Sequence, residues 1–218
     1  MIITIDGPAG TGKSTVAKQV AKALGFHHID TGAMYRCITW YLLQNKIPID
    51  NEEAVGASLQ GFSLDIKSSA DVKHYYVCHQ DVTFEIRMRL VTGLVSQVAA
   101  LQKVRTFLVK LQRLQANGKD IVCEGRDIGT VVFPNADVKI YLTATADERA
   151  KRRYLEWKEK SPKESPNLSK IKEEIIQRDR NDMTRTHSPL KKADDAVEID
   201  TTSLSKEEVV EEILKLTR

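Results

Sequence analysis

Apolar and polar positions along the chain alternate between two periods. Ile2, Ile3 and Ile5 form a β-branched run that stops at Gly7-Pro8, which predicts a short buried strand entering a turn. From Lys13 to Leu24 the apolar residues Val16, Ala17, Val20, Ala21 and Leu24 recur at steps of three and four, and Gly25 follows as a C-terminal cap. That spacing predicts one apolar face of a helix. Phe26 to Ile29 reads as a second strand, and Asp30-Thr31-Gly32 offers an N-cap to a helix carrying Met34, Ile38, Tyr41 and Leu42. Further strands are expected at Ile121-Val122-Cys123, Val138 to Leu142 and Ala196 to Ile199, with helical stretches between them. The alternation predicts an α/β fold with a mostly parallel sheet flanked by helices.

Two segments break this rhythm. Between Ser58 and Thr92 the pattern changes to short alternating pieces such as Phe62-Ser63-Leu64-Asp65-Ile66, which predicts a small antiparallel insert. Lys158 to Lys170 is rich in lysine, serine and proline, with Pro162 and Pro166, and reads as a surface loop between two helices. Near the C-terminus, Ser205 and Glu208 have the S-x-x-E spacing of a capping box, ahead of Val209, Val210, Ile213 and Leu214. No internal repeat is found.

Composition narrows the class. The 218 residues suit one ordinary globular domain, and 41% hydrophobic with 29% charged residues supplies enough apolar surface for a core. A formal charge of +3 is too small to suggest a nucleic-acid partner. Three scattered cysteines, Cys37, Cys78 and Cys123, do not form a secreted disulfide framework and point to a reducing compartment. With no basic leader at Met1 and no apolar run long enough for a membrane span, a cytoplasmic protein without a membrane partner is expected. His74, Cys78 and His79 lack a fourth ligand at suitable spacing, so no metal is expected there.

The candidate chemistry begins at Gly7-Pro8-Ala9-Gly10-Thr11-Gly12-Lys13-Ser14, a full match to G-x4-G-K-[ST] between a predicted strand and a predicted helix. Such a loop turns backbone N–H groups toward phosphate oxygens, and the helix N-terminus adds partial positive charge. Lys13 is the residue to reach the terminal phosphates, Ser14 offers a hydroxyl to Mg²⁺, and Thr15 follows in the first helical turn. The dinucleotide fingerprint fails, because Thr15 stands where its third glycine belongs. The D-x-x-G and N-K-x-D elements of a GTPase switch are absent. Arg178, Asp182 and Arg185 fall at i, i+4 and i+7, one face of a helix. By spacing alone this is either a solvated charged face or a pair of guanidinium forks flanking a carboxylate. Arg126 beside Asp127 is likewise either a local ion pair or part of a phosphate site.

Four further elements complete the picture: Asp30 to Arg36, Ser96 to Ala100 running on to Arg105, Glu124-Gly125-Arg126-Asp127 continuing to Pro134, and Arg178 to Arg185. With the glycine loop, they make the sequence resemble the bacterial-type cytidylate kinases, part of the nucleoside monophosphate kinase family of P-loop proteins, over nearly the whole chain. The resemblance implies a single domain over 1–218 with an acceptor-binding insert near 58–95 and a LID near 154–170. It implies transfer of the γ-phosphoryl group of ATP, with Mg²⁺, to CMP or dCMP; a monomer is expected. The other readings are a kinase for UMP or AMP and a non-catalytic P-loop switch. By resemblance, Arg178 and Asp182 face the acceptor's sugar, and Arg185, Arg36 and Arg126 its phosphate, with Thr31 a further acceptor contact. Arg153 is carried over to the donor phosphates from the group Arg149, Arg152 and Arg153. Ser96, Arg105 and Asp127 are implied to read the base. Cytosine offers an amino donor at N4 and acceptors at N3 and O2, so a carboxylate and a guanidinium suit it and mismatch uracil.

Overall fold

The computed structural model describes residues 1–69, 72–160 and 166–217. The chain divides into two compact units, one made of Met1–Asp30 with Ala116–Arg218 and the other of Thr31–Gln115. The insert expected near 58–95 lies within the second unit. Residues 161–165 of the expected LID lie outside the described residues.

The first unit is built on a five-stranded parallel sheet of β1 (Ile2–Asp6), β2 (His27–Asp30), β6 (Ile121–Gly125), β7 (Val138–Thr143) and β8 (Val197–Asp200), in the order β2-β6-β1-β7-β8. β1 lies between β6 and β7, with Ile5 opposite both Glu124 and Ile140. As a central strand, β1 is buried from Ile3 to Asp6, with Ile3 and Ile5 in the core and the polar Thr4 and Asp6 buried beside them. Helix α1 (Lys13–Leu24) and helix α8 (Lys206–Lys215) join Ile3, Ile5, Val122, Ile140 and Leu142 in one core through Val16, Val20, Val209 and Ile213. Each such side chain contributes about 1.5–3 kcal/mol by burial. The Ser205–Glu208 capping box is formed. A second, smaller core of Ala150, Ile171 and Ile175 joins α6 (Ala146–Lys160) to α7 (Leu168–Thr184), with Tyr154 and Trp157 against it.

The second unit contains α2 (Thr31–Gln44), α3 (Glu52–Ser58), an antiparallel sheet of β3 (Leu64–Ser69), β4 (Val72–Val77) and β5 (Gln80–Asp81), then α4 (Arg89–Val98) and α5 (Gln102–Ala116), whose last residue falls past the unit's boundary. Cys78 and His79 form the two-residue turn between β4 and β5, both with positive φ, and His74 faces Asp81 at 3.5 Å. His74, Cys78 and His79 thus lie in and beside one hairpin turn. Among the described residues, no helix is long and apolar enough to cross a membrane.

Candidate active site

The glycine loop leaves β1 at Gly7, whose φ is +145° and where a Cβ would stand 2.2 Å from the Leu142 carbonyl oxygen of β7. Only glycine lets the loop start this close to the neighbouring strand. The chain then enters α1 at Lys13, whose side chain is 6% exposed and donates from Nζ to the Pro8 carbonyl and, at 3.4 Å, to Thr11 Oγ1. Burial, followed by the positive charge of Arg126, holds the Lys13 ammonium well below the usual lysine range, and Glu124 and Asp6 act in the opposite direction. Ser14 and Thr15 are exposed.

Side chains carried on three neighbouring strands, Asp6 on β1, Glu124 on β6 and His28 on β2, lie beside this loop. Ser14 Oγ donates to Glu124 Oε2 at 2.8 Å, and His28 Nε2 lies 3.1 Å from Glu124 Oε1. Asp6, the last residue of β1, accepts from the backbone N–H groups of Ile128 and Gly129 at 2.9 and 2.7 Å. Burial pushes its carboxyl up to about 6 despite these two bonds, which favour the charged form. The segment it holds, Ile128–Val132, is one π turn, closed by Val132 N–H to the Asp127 carbonyl and Phe133 N–H to the Ile128 carbonyl. Single turns of this kind displace a backbone locally and recur at functional sites.

The arginines and carboxylates after β6 pair with the end of α7, not with each other. Arg126 Nε donates to Asp182 Oδ2 at 3.1 Å, and Arg185 donates to Asp127 Oδ1 at 3.3 Å. The local Arg126–Asp127 ion pair entertained from sequence is therefore replaced by two crossed pairs. The helix-face reading also needs correction, because α7 ends at Thr184 and Arg185 has an extended backbone. Its Nε donates to the Ser188 carbonyl at 2.7 Å, and Leu190 N–H returns to the Asp182 carbonyl, so a turn after the helix aims this side chain. Arg178 remains on α7, and its charge, like that of Arg126, acts on Lys13. Arg153 lies on the exposed side of α6, paired with Glu156 at 3.1 Å.

In the second unit, Thr31 is buried at the start of α2 and Ser96 is half-buried on α4. Arg36 donates to Thr92 Oγ1 at 2.7 Å and to the Ile86 carbonyl at 3.2 Å. Arg105 is 3% exposed, donates to the Ala99 carbonyl at 3.0 Å and stands 5.5 Å from the centre of the Tyr35 ring.

Asp6 and Glu124 lie beside the loop and were given no role by sequence reasoning, whereas Arg149, named there only within a group of three arginines, donates to the Ala9 carbonyl of the loop and pairs with Asp179, to which no role was given. The signal for the first two was present: each is a charged residue in an otherwise apolar strand, and such a residue stays buried only when paired or hydrogen-bonded. Ser14 and Glu124 supply hard oxygen donors of the kind Mg²⁺ accepts alongside phosphate oxygens, so the residues fit that ion. Among the described residues, no cluster of three or more His, Cys, Asp or Glu forms a metal cage.

The cytidylate kinase family model matches residues 3–218. A cytidylate kinase from Protochlamydia amoebophila is 50% identical over 99% of this chain and 95% of its own length. One from Fusobacterium nucleatum is 48% identical over 99% and 96%. Among solved structures, an uncharacterized protein from Eubacterium ventriosum matches 99% of this chain and 96% of its own at 12% identity and a TM-score of 0.51, a likeness of fold. A family model spanning residues 3–218 and relatives about half identical over nearly the full length of both chains show, together with the strand–glycine loop–helix that carries the buried Lys13, that the chain belongs to the cytidylate kinase family.

Proposed function

We propose that this chain transfers the γ-phosphoryl group of ATP to CMP or dCMP, giving ADP and CDP or dCDP. The observation that carries the reading is Lys13: a buried ammonium at the mouth of a glycine loop, disfavoured by burial and by Arg126, with Arg178 adding to the same field. A chain of phosphates reverses that penalty, because each negative oxygen favours the charged lysine.

In the reaction, an oxygen of the acceptor phosphate attacks the γ-phosphorus as the bond to the β–γ bridging oxygen breaks, and ADP leaves with the electron pair. The acceptor phosphate is already anionic near neutral pH, so no general base is required. Lys13 and the loop N–H groups hold the donor phosphates and meet the charge that develops on the leaving oxygen. Ser14 and Glu124 would hold Mg²⁺, which neutralises phosphate charge when bound. Arg126 and Arg185 bind the acceptor phosphate, and Arg178 and Asp182 its sugar. Arg36 and Thr31 are further acceptor contacts, while Ser96, Arg105 and Asp127 read the base. Arg153 serves the donor side.

A coupled assay of ADP formation, run with each nucleoside monophosphate in turn, tests the proposal. CMP and dCMP should give the highest kcat/KM. Preference for UMP or AMP would reassign the acceptor, and ATP binding without turnover on any acceptor would make the chain a binding module.

A further inference from the structure

We infer that Arg149 and Asp179 are positioning residues for ATP, a buried pair that fixes the tip of the phosphate loop by holding the two peptide planes on either side of Ala9. The inference rests on the donor role proposed above for this loop. Ala9 N–H donates to Asp179 Oδ1 at 3.0 Å, and the Ala9 carbonyl accepts from Arg149 NH1 at 2.9 Å. The same NH1 donates to Asp179 Oδ2, and Arg149 Nε is anchored on the Ala144 carbonyl at 3.0 Å. Both side chains are buried, at 9% and 8% exposure. One ion pair therefore grips both the N–H and the C=O of a single loop residue. The next residue, Gly10, has φ of +80°, and a Cβ there would come within 3.1 Å of Arg149 Cβ, so the loop and the clamp are in close contact.

The clamp has its own support. Its two members lie on α6 and α7, which are joined by Ala150, Ile171 and Ile175. The buried face of α7 runs Ile171, Ile175, Asp179, Asp182, an apolar stripe that turns acidic where it reaches the site. A buried carboxylate costs free energy unless it is paired and hydrogen-bonded, and here Asp179 is both. A loop of small residues has little packing of its own to define its shape, and N–H groups aimed at phosphate are effective only if the loop holds that shape before the nucleotide arrives. The clamp supplies this at Ala9 through contacts to the loop backbone.

The test compares wild type, Asp179→Asn, Arg149→Lys, Arg149→Met and the Asp179→Asn/Arg149→Met double variant. Equilibrium titration gives the Kd for ATP with Mg²⁺, steady-state kinetics gives KM for ATP and for CMP, and melting gives Tm. Asp179→Asn and Arg149→Met should each raise Kd and KM for ATP by about tenfold or more while KM for CMP stays within about twofold. Arg149→Lys keeps the charge facing Asp179 but not the fork, and should recover part of the loss. The double variant should be little worse than the worse single one, because both remove the same clamp. Should Asp179→Asn fail to fold, Arg149→Lys against Arg149→Met carries the comparison. Unchanged ATP affinity in the folded variants, or equal losses for ATP and CMP, overturns the inference. Titration does not depend on turnover: a wild type that binds ATP but phosphorylates neither CMP nor dCMP sinks the proposed reaction and leaves the clamp measurable. A wild type that binds no ATP sinks both.

Discussion

The phosphate loop and the cluster at the end of α7 both gather positive charge in the first unit, and they do so with different materials. The loop uses backbone: glycines at positions 7, 10 and 12 shape the chain so that N–H groups and one lysine share a small space. The cluster uses side chains, joined as Arg126–Asp182 and Arg185–Asp127 across separations of 56 and 58 residues. Backbone dipoles cannot be neutralised by a proton or swung away by a rotamer change, so the loop's field is fixed once its fold is fixed. Guanidinium groups need carboxylates to hold them in place, and those carboxylates offset part of the charge they position. A loop suits a donor phosphate chain common to many substrates. A cluster of paired side chains suits an acceptor that must be distinguished from its relatives.

The largest expected effect tests the loop. Lys13→Ala should leave the fold intact, since the side chain belongs to no apolar core, and should lower kcat by about 10²–10³-fold, the loss typical of a single charge-stabilising donor. Measuring ADP formation alongside Tm separates the two. A folded Lys13→Ala with wild-type turnover would remove phosphoryl transfer from this site.

Asp6 tests what joins the loop to the segment that carries Arg126 and Asp127. Its carboxyl is raised by burial from 3.8 to about 6. Between those values the folded chain binds more protons than the unfolded one, so this group's contribution to stability is full below about pH 4 and is lost as pH rises through 6. The swing is on the order of 3 kcal/mol. Asp6→Asn removes the titration, so the stability of wild type minus that of the variant should fall by that amount between pH 4 and 7, read by urea denaturation at each pH. A difference that stays flat with pH would contradict the burial of this carboxyl.

The same contrast explains what could be read in the sequence. Strand, glycine loop and α1 are local, as is the Ser205–Glu208 capping box, because every residue that defines them lies within a few positions of the others. The alternation of strands and helices sufficed for a parallel sheet, although the strand order needs contacts between distant segments. In the side-chain cluster, periodicity placed Arg178 and Asp182 on one helix but carried the helix one residue too far, since the turn through Ser188, with its φ of 49°, is a tertiary feature. Partner choice was not legible at all: Arg126 sits next to Asp127 in sequence and bonds Asp182 instead. The buried acidic stripe on α7 was visible as a period, Ile171, Ile175, Asp179, Asp182, but its meaning depends on Ala9 and Arg126 lying beside it.

The smallest expected effect is on selectivity, and it falls on Asp127. The residue is 3% exposed and accepts from Arg185. Under the proposed function its carboxylate also accepts from the cytosine amino group. Asp127→Asn would then give up that acceptor for CMP while offering an amide N–H₂ to the O4 of uracil. Discrimination should shrink from both directions, by roughly 1–3 kcal/mol in the ratio of kcat/KM for CMP to that for UMP. The structure supplies a sharper rival than a partnership with Arg126: Asp127 orients Arg185. If that is its whole role, the amide keeps an oxygen for Arg185 but loses the charge that holds it, and both acceptors slow by similar factors, because either one presents a phosphate. Arg185→Ala is the reference, since it removes the guanidinium whichever base the acceptor carries and should weaken CMP and UMP alike while ATP binding stays nearly intact. A CMP-to-UMP ratio that falls in Asp127→Asn but not in Arg185→Ala assigns base reading to the carboxylate. A ratio unchanged in both assigns Asp127 to the phosphate clamp alone.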